Sequence, residues 1–198
     1  MARRPYSSPV RDAAAAAKRA QVVQVAVRLL HESENAAAVS MEAVAAAAGV
    51  TRLTIYKQFG SRRGLFEAVF DHRAAKGGLS RISEAVMIED PRQALDRLVE
   101  IFCAFWASEH AVGRLQDLAA SDSEFAEAID ARNERRRQAI SVLAARAGGP
   151  AQANHGRDAV DLIFTLTSYA TYSSLRPNRS DADVCSLIKS ACADALKP

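Results

Sequence analysis

The sequence predicts an all-α protein, and three observations carry that prediction. Apolar residues recur at helical spacing along most of the chain, as in Val22, Val23, Ala26, Leu29 and Leu30. Alanine-rich runs dominate over alternating β-branched stretches, and glycine is sparse. Start and stop signals punctuate the periodic segments: Ser40, Thr51, Ser61 and Asp90-Pro91 at starts, Gly49, Gly60 and Gly148-Gly149-Pro150 at ends.

Residues 1–12 are polar and carry Arg3, Arg4 and Arg11 between Pro5 and Pro9, which reads as a flexible basic tail. An arm lying along phosphates or in a minor groove is the sharper alternative. A first helix is expected over 13–31, with Lys18, Arg19 and Arg28 outward and Asn35 as the left-handed residue beyond its end. Ser40 caps the next helix, whose apolar stripe is Met41, Val44, Ala45 and Ala48. Gly49 stops it and Val50 plugs the turn. Thr51 caps a third helix with Ile55 and Phe59 inward and Arg52, Leu53, Thr54, Tyr56 and Lys57 outward. Ser61 opens a fourth helix over 61–76, with Leu65, Phe66, Val69 and Phe70 inward, and Gly77-Gly78 marks a domain boundary. A short helix, a glycine turn and a second helix with an exposed Arg/Thr/Tyr/Lys face is the layout of a helix-turn-helix DNA reader.

The stretch AVAAAAGVTRLTIYKQFGSRRGLFEAV also resembles the signature of the tetracycline-repressor (TetR) family, "IA…AGVS…TLYYHFGSKEGL", which marks helices two to four there. Val44, Ala45, Ala48, Gly49, Val50, Thr51, Thr54, Ile55, Tyr56, Phe59, Ser61, Gly64 and Leu65 match at fixed offsets. Leu53 stands where a glycine is usual, Gln58 for a histidine and Arg62 for a lysine, departures that bear on operator sequence and phosphate contacts.

Beyond the boundary, residues 79–89 read as a short helix or a continuation of the fourth. Asp90 and Pro91 start a helix reaching 108, with Leu95, Leu98, Val99, Phe102, Phe105 and Trp106 inward. A short helix over 111–120 places Leu115 and Leu118 inward, and Asp122 caps a long helix reaching 147. Phe125, Ile129, Ile140 and Leu143 form its inner side, while Arg132 and Arg135–Arg137 read as a solvated stretch. Two final helices are expected over 155–175 and 180–196. The first is apolar or small nearly all round, so it must be covered on both sides.

Composition bounds the function. The chain has 198 residues, 49% hydrophobic and 25% charged, enough for a real core in one or two domains. Residues 1–76 hold 12 Lys/Arg against 6 Asp/Glu, whereas the remainder holds 14 against 17. A basic third on an acidic remainder suits phosphate contact at one end only, a chance fluctuation being the plain alternative. No apolar run reaches the ~18–20 residues that span a membrane. The first residues, MARRPYSSPVRD, have no apolar core, so no signal peptide is expected, and three cysteines without metal spacing lead to the expectation of a reduced, cytoplasmic protein. His31, His72, His110 and His155 are scattered. No phosphate loop, nucleophile elbow or HExxH is present, so neither an enzyme, a cofactor nor a metal site is expected.

The resulting expectation is a flexible tail (1–12), an N-terminal three-helix helix-turn-helix DNA-binding domain with its tether helix (13–76) and a larger helical domain (77–198). Arg52 is the candidate for a guanine, Leu53 and Thr54 for a thymine methyl, and Lys57 for a base or a phosphate. Ser40, Thr51, Tyr56 and Arg62 are candidate backbone clamps. The resemblance implies a homodimer on a double-stranded DNA operator, built from the last two helices, with Leu162, Leu166, Val184, Leu187, Ile188 and Ala191 at the interface. It also implies a small-molecule effector pocket, for which Phe102, Phe105, Trp106, Leu118, Phe125, Phe164, Tyr169 and Tyr172 are the candidates; plain aromatic core is the competing reading. Two further alternatives are an interaction protein with a vestigial helix-turn-helix and a DNA binder without a ligand.

Overall fold

The structure, a computed structural model, describes residues 9–33, 39–108, 113, 115–116, 119, 123–148 and 153–197. The described residues form helices and turns with no strand, the all-α fold that the periodicity predicts. The chain divides into two compact units, Met1–His72 and Arg73–Pro198.

In the first unit, α1 (Pro9–Glu32) buries Val22, Val23, Ala26 and Leu30, the stripe read from spacing. It begins earlier than expected, at Pro9, where the fixed φ of proline suits a first turn that has no use for its missing N–H. The rest of the basic tail, residues 1–8, and Asn35 lie outside the described residues. α2 (Met41–Ala48) starts where the Ser40 hydroxyl accepts from the Ala43 amide at 3.1 Å. It ends at Gly49, whose φ of 64° is left-handed and turns the chain without a side chain to oppose it. α3 (Arg52–Phe59) repeats the device, with the Thr51 hydroxyl accepting from the Thr54 amide at 3.2 Å. α4 (Arg62–Lys76) follows a turn at Gly60. Gly64 is demanded by proximity, since a Cβ there would fall on the Phe59 carbonyl. Ile55, Leu65, Phe66 and Val69 are at most 1% exposed, each side chain contributing about 1.5–3 kcal/mol by leaving water.

In the second unit a single turn of 3₁₀ helix (Leu79–Arg81) leads to α5 (Ile82–Met87), resolving the open 79–89 stretch as a separate short helix. α6 (Pro91–Ser108) is the central element and packs on α5 and on the helices over Ser123–Gly148 and Asp181–Ala195. Asp90 caps it through the Arg92 amide at 2.8 Å, and Leu95, Leu98, Val99, Ile101, Phe102, Phe105 and Trp106 are all buried. α7 (Ser123–Gly148) carries Phe125, Ile129, Ile140 and Leu143 into the core. The Arg146 guanidinium near its end donates to the carbonyls of Val86, Ile88 and Glu89, satisfying the terminus of α5. The helix expected over 111–120 falls largely outside the described residues, as do Leu118 and Asp122, although Leu115 is buried.

The helix expected over 155–175 is two helices, α8 (Ala153–Leu166) and α9 (Tyr169–Leu175). The break comes from hydroxyl chemistry. Thr167 Oγ1 donates back to the Ile163 carbonyl at 2.8 Å, Thr171 Oγ1 donates to the Thr165 carbonyl at 2.7 Å, and Ser168 caps α9 through the Thr171 amide. α10 (Asp181–Ala195) starts with a capping box between Ser180 and Asp183 and packs on α6 and α8. Among the described residues no helix is long and apolar enough to cross a membrane.

Candidate functional sites

Two constellations emerge, one in each unit. The first is the surface of α3. Leu53 is 62% exposed and Tyr56 38% exposed, and Arg52 and Lys57 are exposed beside them. Thr54, half-buried, shares a hydroxyl contact of 2.9 Å with Thr51. Arg52 is not free: it pairs with the Glu42 carboxylate at 2.6 Å and donates to the Tyr56 hydroxyl at 3.1 Å, its guanidinium lying 5.2 Å from that ring. The Glu42 pair and the Tyr56 bond use one Nη1 and one Nη2 donor and leave the rest of the guanidinium for another acceptor. Ser40 and Thr51 have their oxygens engaged as caps, and the Thr51 hydroxyl also shares its bond with that of Thr54. Arg62 differs from the rest, reaching the Val39 carbonyl at 3.5 Å and lying 4.9 Å from the Phe66 ring.

The sequence missed what holds α3 in place. Arg19, read as simply outward, donates to the Gln58 carbonyl at 2.7 Å and covers the Phe59 ring at 4.2 Å. Gln21 similarly reaches the Ala48 carbonyl at 3.3 Å. Both bond to helix-terminal carbonyls from a helix 27 to 39 residues away, for which no local signal exists.

The second constellation gathers the aromatic candidates of the larger unit around Trp106. Phe105 lies 4.7 Å from the indole, Tyr169 5.5 Å edge-on and Phe102 6.4 Å in parallel. The indole Nε1 donates to the Thr167 carbonyl at 3.0 Å, an acceptor that the α8–α9 break makes available. Phe164 and Tyr169 flank that break and are half-buried. Phe125 is fully buried, and Tyr172 commits its hydroxyl to Asp181 at 2.6 Å, so it braces the start of α10. Burial, then the Asp181 bond, pushes the Tyr172 phenol well above its usual range.

One member of this cluster contradicts the sequence reading. Arg136, assigned to a solvated stretch, is only 9% exposed. Its Nη1 donates to the same Thr167 carbonyl at 3.0 Å, and its guanidinium lies 4.0 Å from the Phe164 ring and 5.6 Å from that of Phe102. Periodicity held the signal: Arg136 stands four residues before Ile140 and seven before Leu143, on their inner face. Arg137 behaves as expected of a surface arginine, pairing with Asp161 beside an open cleft of about 630 Å³ between α7 and α8. None of the aromatic candidates lines that cleft.

The expected interface residues separate. Val184 and Ile188 are buried inside their own unit, so they are not available to a partner. Leu162 and Leu187 are exposed on α8 and α10, with Leu166 and Ala191 half-buried. Among the described residues no group of His, Cys, Asp and Glu could hold a metal ion.

Residues 22–69 match the family model described as bacterial regulatory proteins, tetR family. No curated protein sequence matches the chain. Among solved structures, the chain is similar to the TetR-family transcriptional regulator PfmR from Thermus thermophilus, at 18% identity over 89% of this chain and 99% of that one, TM-score 0.66. It is similar to a TetR transcription regulator from Haloarcula marismortui, at 13% identity over 91% and 96% of the two chains, TM-score 0.66. A TetR transcriptional regulator from a Rhodococcus species aligns at 23% identity over 90% and 95%, TM-score 0.55. At these identities the likeness speaks for the fold, and the matched segment contains α2 and α3 with both caps and the glycine turn between them. Residues 22–69 thus carry the helix-turn-helix segment of the tetR family of bacterial regulatory proteins, and the chain as a whole has the fold of the TetR regulators it is similar to.

Proposed function

We propose that this chain is a cytoplasmic transcriptional repressor that binds a palindromic operator as a homodimer and leaves it when a small apolar or amphipathic ligand is bound. In this reading residues 13–76 are the DNA-binding domain with its tether helix, and residues 77–198 bind the ligand and the second subunit. The observation that carries it is α3: a capped, eight-residue helix with Arg52, Leu53, Tyr56 and Lys57 exposed, in the segment that matches the family model. A helix so displayed fits a major groove, and a two-fold dimer reads half-sites about 34–36 Å apart. Exposed Leu162 and Leu187 on the packed pair α8 and α10 support the dimer, since two large apolar side chains there gain by being covered. The aromatic cluster around Trp106 supports a ligand with apolar surface. Such a ligand acts only by its differential affinity for DNA-competent and DNA-incompetent states.

The test is selection from a genomic fragment library with the purified protein, followed by footprinting at several salt concentrations. A palindromic footprint with a steep salt slope is the expected result. Weak, sequence-blind binding at every salt would sink the reading. Arg52→Ala is expected to cost about 1–3 kcal/mol on the operator and to relax its sequence preference. Arg62→Ala is expected to weaken all sequences alike; equal loss of specificity in both variants contradicts the assignment.

A further inference from the structure

Among the described residues, the buried arginine of α7 has no counter-charge. The Arg136 guanidinium uses one of its five N–H donors, from Nη1 to the Thr167 carbonyl. Its Nε is buried and has no hydrogen-bond partner. Among the described residues no carboxylate forms an ion pair with it, and Asp161 on α8 pairs with Arg137 instead. Arg137 itself adds like charge. Burial first, and Arg137 second, push Arg136 down to about 10, which still leaves it positive at neutral pH.

A permanently charged group in this position is expensive to bury. Two aromatic rings return part of the lost hydration through their π faces but offer no acceptor for the idle Nε–H. The site is also preorganised: the ring of Phe164 at 4.0 Å and the Thr167 carbonyl hold the guanidinium in one orientation, and Trp106 anchors that same carbonyl from α6. Half-buried Phe164 and Tyr169 mark where the cluster meets solvent.

We propose that Arg136 anchors an organic carboxylate whose apolar or aromatic body lies against Phe102, Trp106, Phe164 and Tyr169. A planar carboxylate matches the fork of a guanidinium and supplies the missing charge and acceptors together. One uncompensated cation among aromatic walls suits a monoanion. A phosphate dianion would bring more charge and more acceptor oxygens than this one side chain can satisfy. The inference rests on the effector reading above for its regulatory meaning and on the geometry of Arg136 for the chemistry of the ligand.

The test uses the full chain without DNA. Trp106 is the only tryptophan, so intrinsic fluorescence reports on the cluster directly. The probes are matched acid and alcohol pairs: 4-phenylbutyrate with 4-phenylbutanol, octanoate with octanol, and their shorter and longer homologues. At least one acid is expected to bind about tenfold or more tightly than its alcohol, the size of a charge-assisted pair. Arg136→Met and Arg136→Gln should abolish that preference while alcohol binding persists. Ligand-free Arg136→Met should melt at a higher temperature than the parent, because a buried unpaired charge has been replaced by an apolar chain of similar length. Alcohols that match their acids throughout, or a panel in which no acid binds, would overturn the proposal without any variant. A Met variant that keeps the acid preference would overturn it too.

Release from DNA is scored separately. Ligands that release DNA with no advantage for the acid leave the regulator standing and remove the carboxylate anchor. Acids that bind through Arg136 without affecting DNA leave the anchor standing and remove the regulatory role.

Discussion

The α3 surface and the Trp106–Arg136 cluster are organised in opposite ways. Around α3 the helix starts and the Arg52–Tyr56 bond are made by neighbours in sequence, with Arg19 and Gln21 bracing the helix ends from α1: Ser40 caps through Ala43, Thr51 through Thr54, and Arg52 bonds Tyr56 one turn along. In the cluster the decisive contacts span 61 residues from Trp106 to Thr167 and 31 from Arg136 to the same carbonyl. The first presents side chains outward on a helix that local chemistry starts and stops. The second traps polar groups inside an aromatic shell, where each must find a partner supplied by another helix. An exposed helix face can therefore be written in a short motif, whereas a buried polar-aromatic cluster depends on the assembled unit.

That contrast can be broken or sharpened by substitution. The largest effect belongs to the assembled region: Phe105→Ala, fully buried against Trp106 and Gly77, should cost about 3–5 kcal/mol in chemical denaturation and should shift the tryptophan emission. A loss below about 1 kcal/mol would mean the cluster is loosely packed. Next comes Gly64→Ala, where the added methyl meets backbone rather than a yielding side chain; about 1–3 kcal/mol is expected, read in the same way. Thr51→Ala removes one local cap and should cost about 1 kcal/mol, with helical circular dichroism nearly unchanged. The smallest effect is electrostatic. Glu42→Gln frees Arg52 from its ion pair and should tighten DNA binding up to about fivefold at low salt, fading as salt rises. Weaker binding in that variant would mean Glu42 orients Arg52 for its contact.

Much of the first region was legible because helix caps and glycine stops act within four residues. Ser40, Gly49, Thr51 and Gly60 mark the observed ends of α2 and α3, and the apolar stripe of α1 is buried as its spacing predicts. Arg19 and Gln21 were not legible as braces, since a long polar side chain on an exposed face carries no sign of the carbonyl it will meet. In the second region the aromatic residues near Trp106 could be named in advance, but their division of labour could not. Tyr172 turned to Asp181, and the run over 155–175 broke where Thr167 and Ser168 offered the backbone competing hydrogen bonds. A run of hydroxyl residues, Thr165, Thr167, Ser168 and Thr171, was the available warning.

The sequence by itself determined the all-α class, the helix-turn-helix with its caps and turn glycines, and the basic bias of the first third. These follow from spacing and local hydrogen bonding, which act along the chain. Only the tertiary structure decided that Arg136 lies inside rather than in water, that Arg52 is held by Glu42, and that Val184 and Ile188 belong to the protomer's own core. Burial of a charge and satisfaction of its donors are properties of a three-dimensional neighbourhood. The same arginine on the same helix is a solvated surface group or an anchor according to which helices close around it.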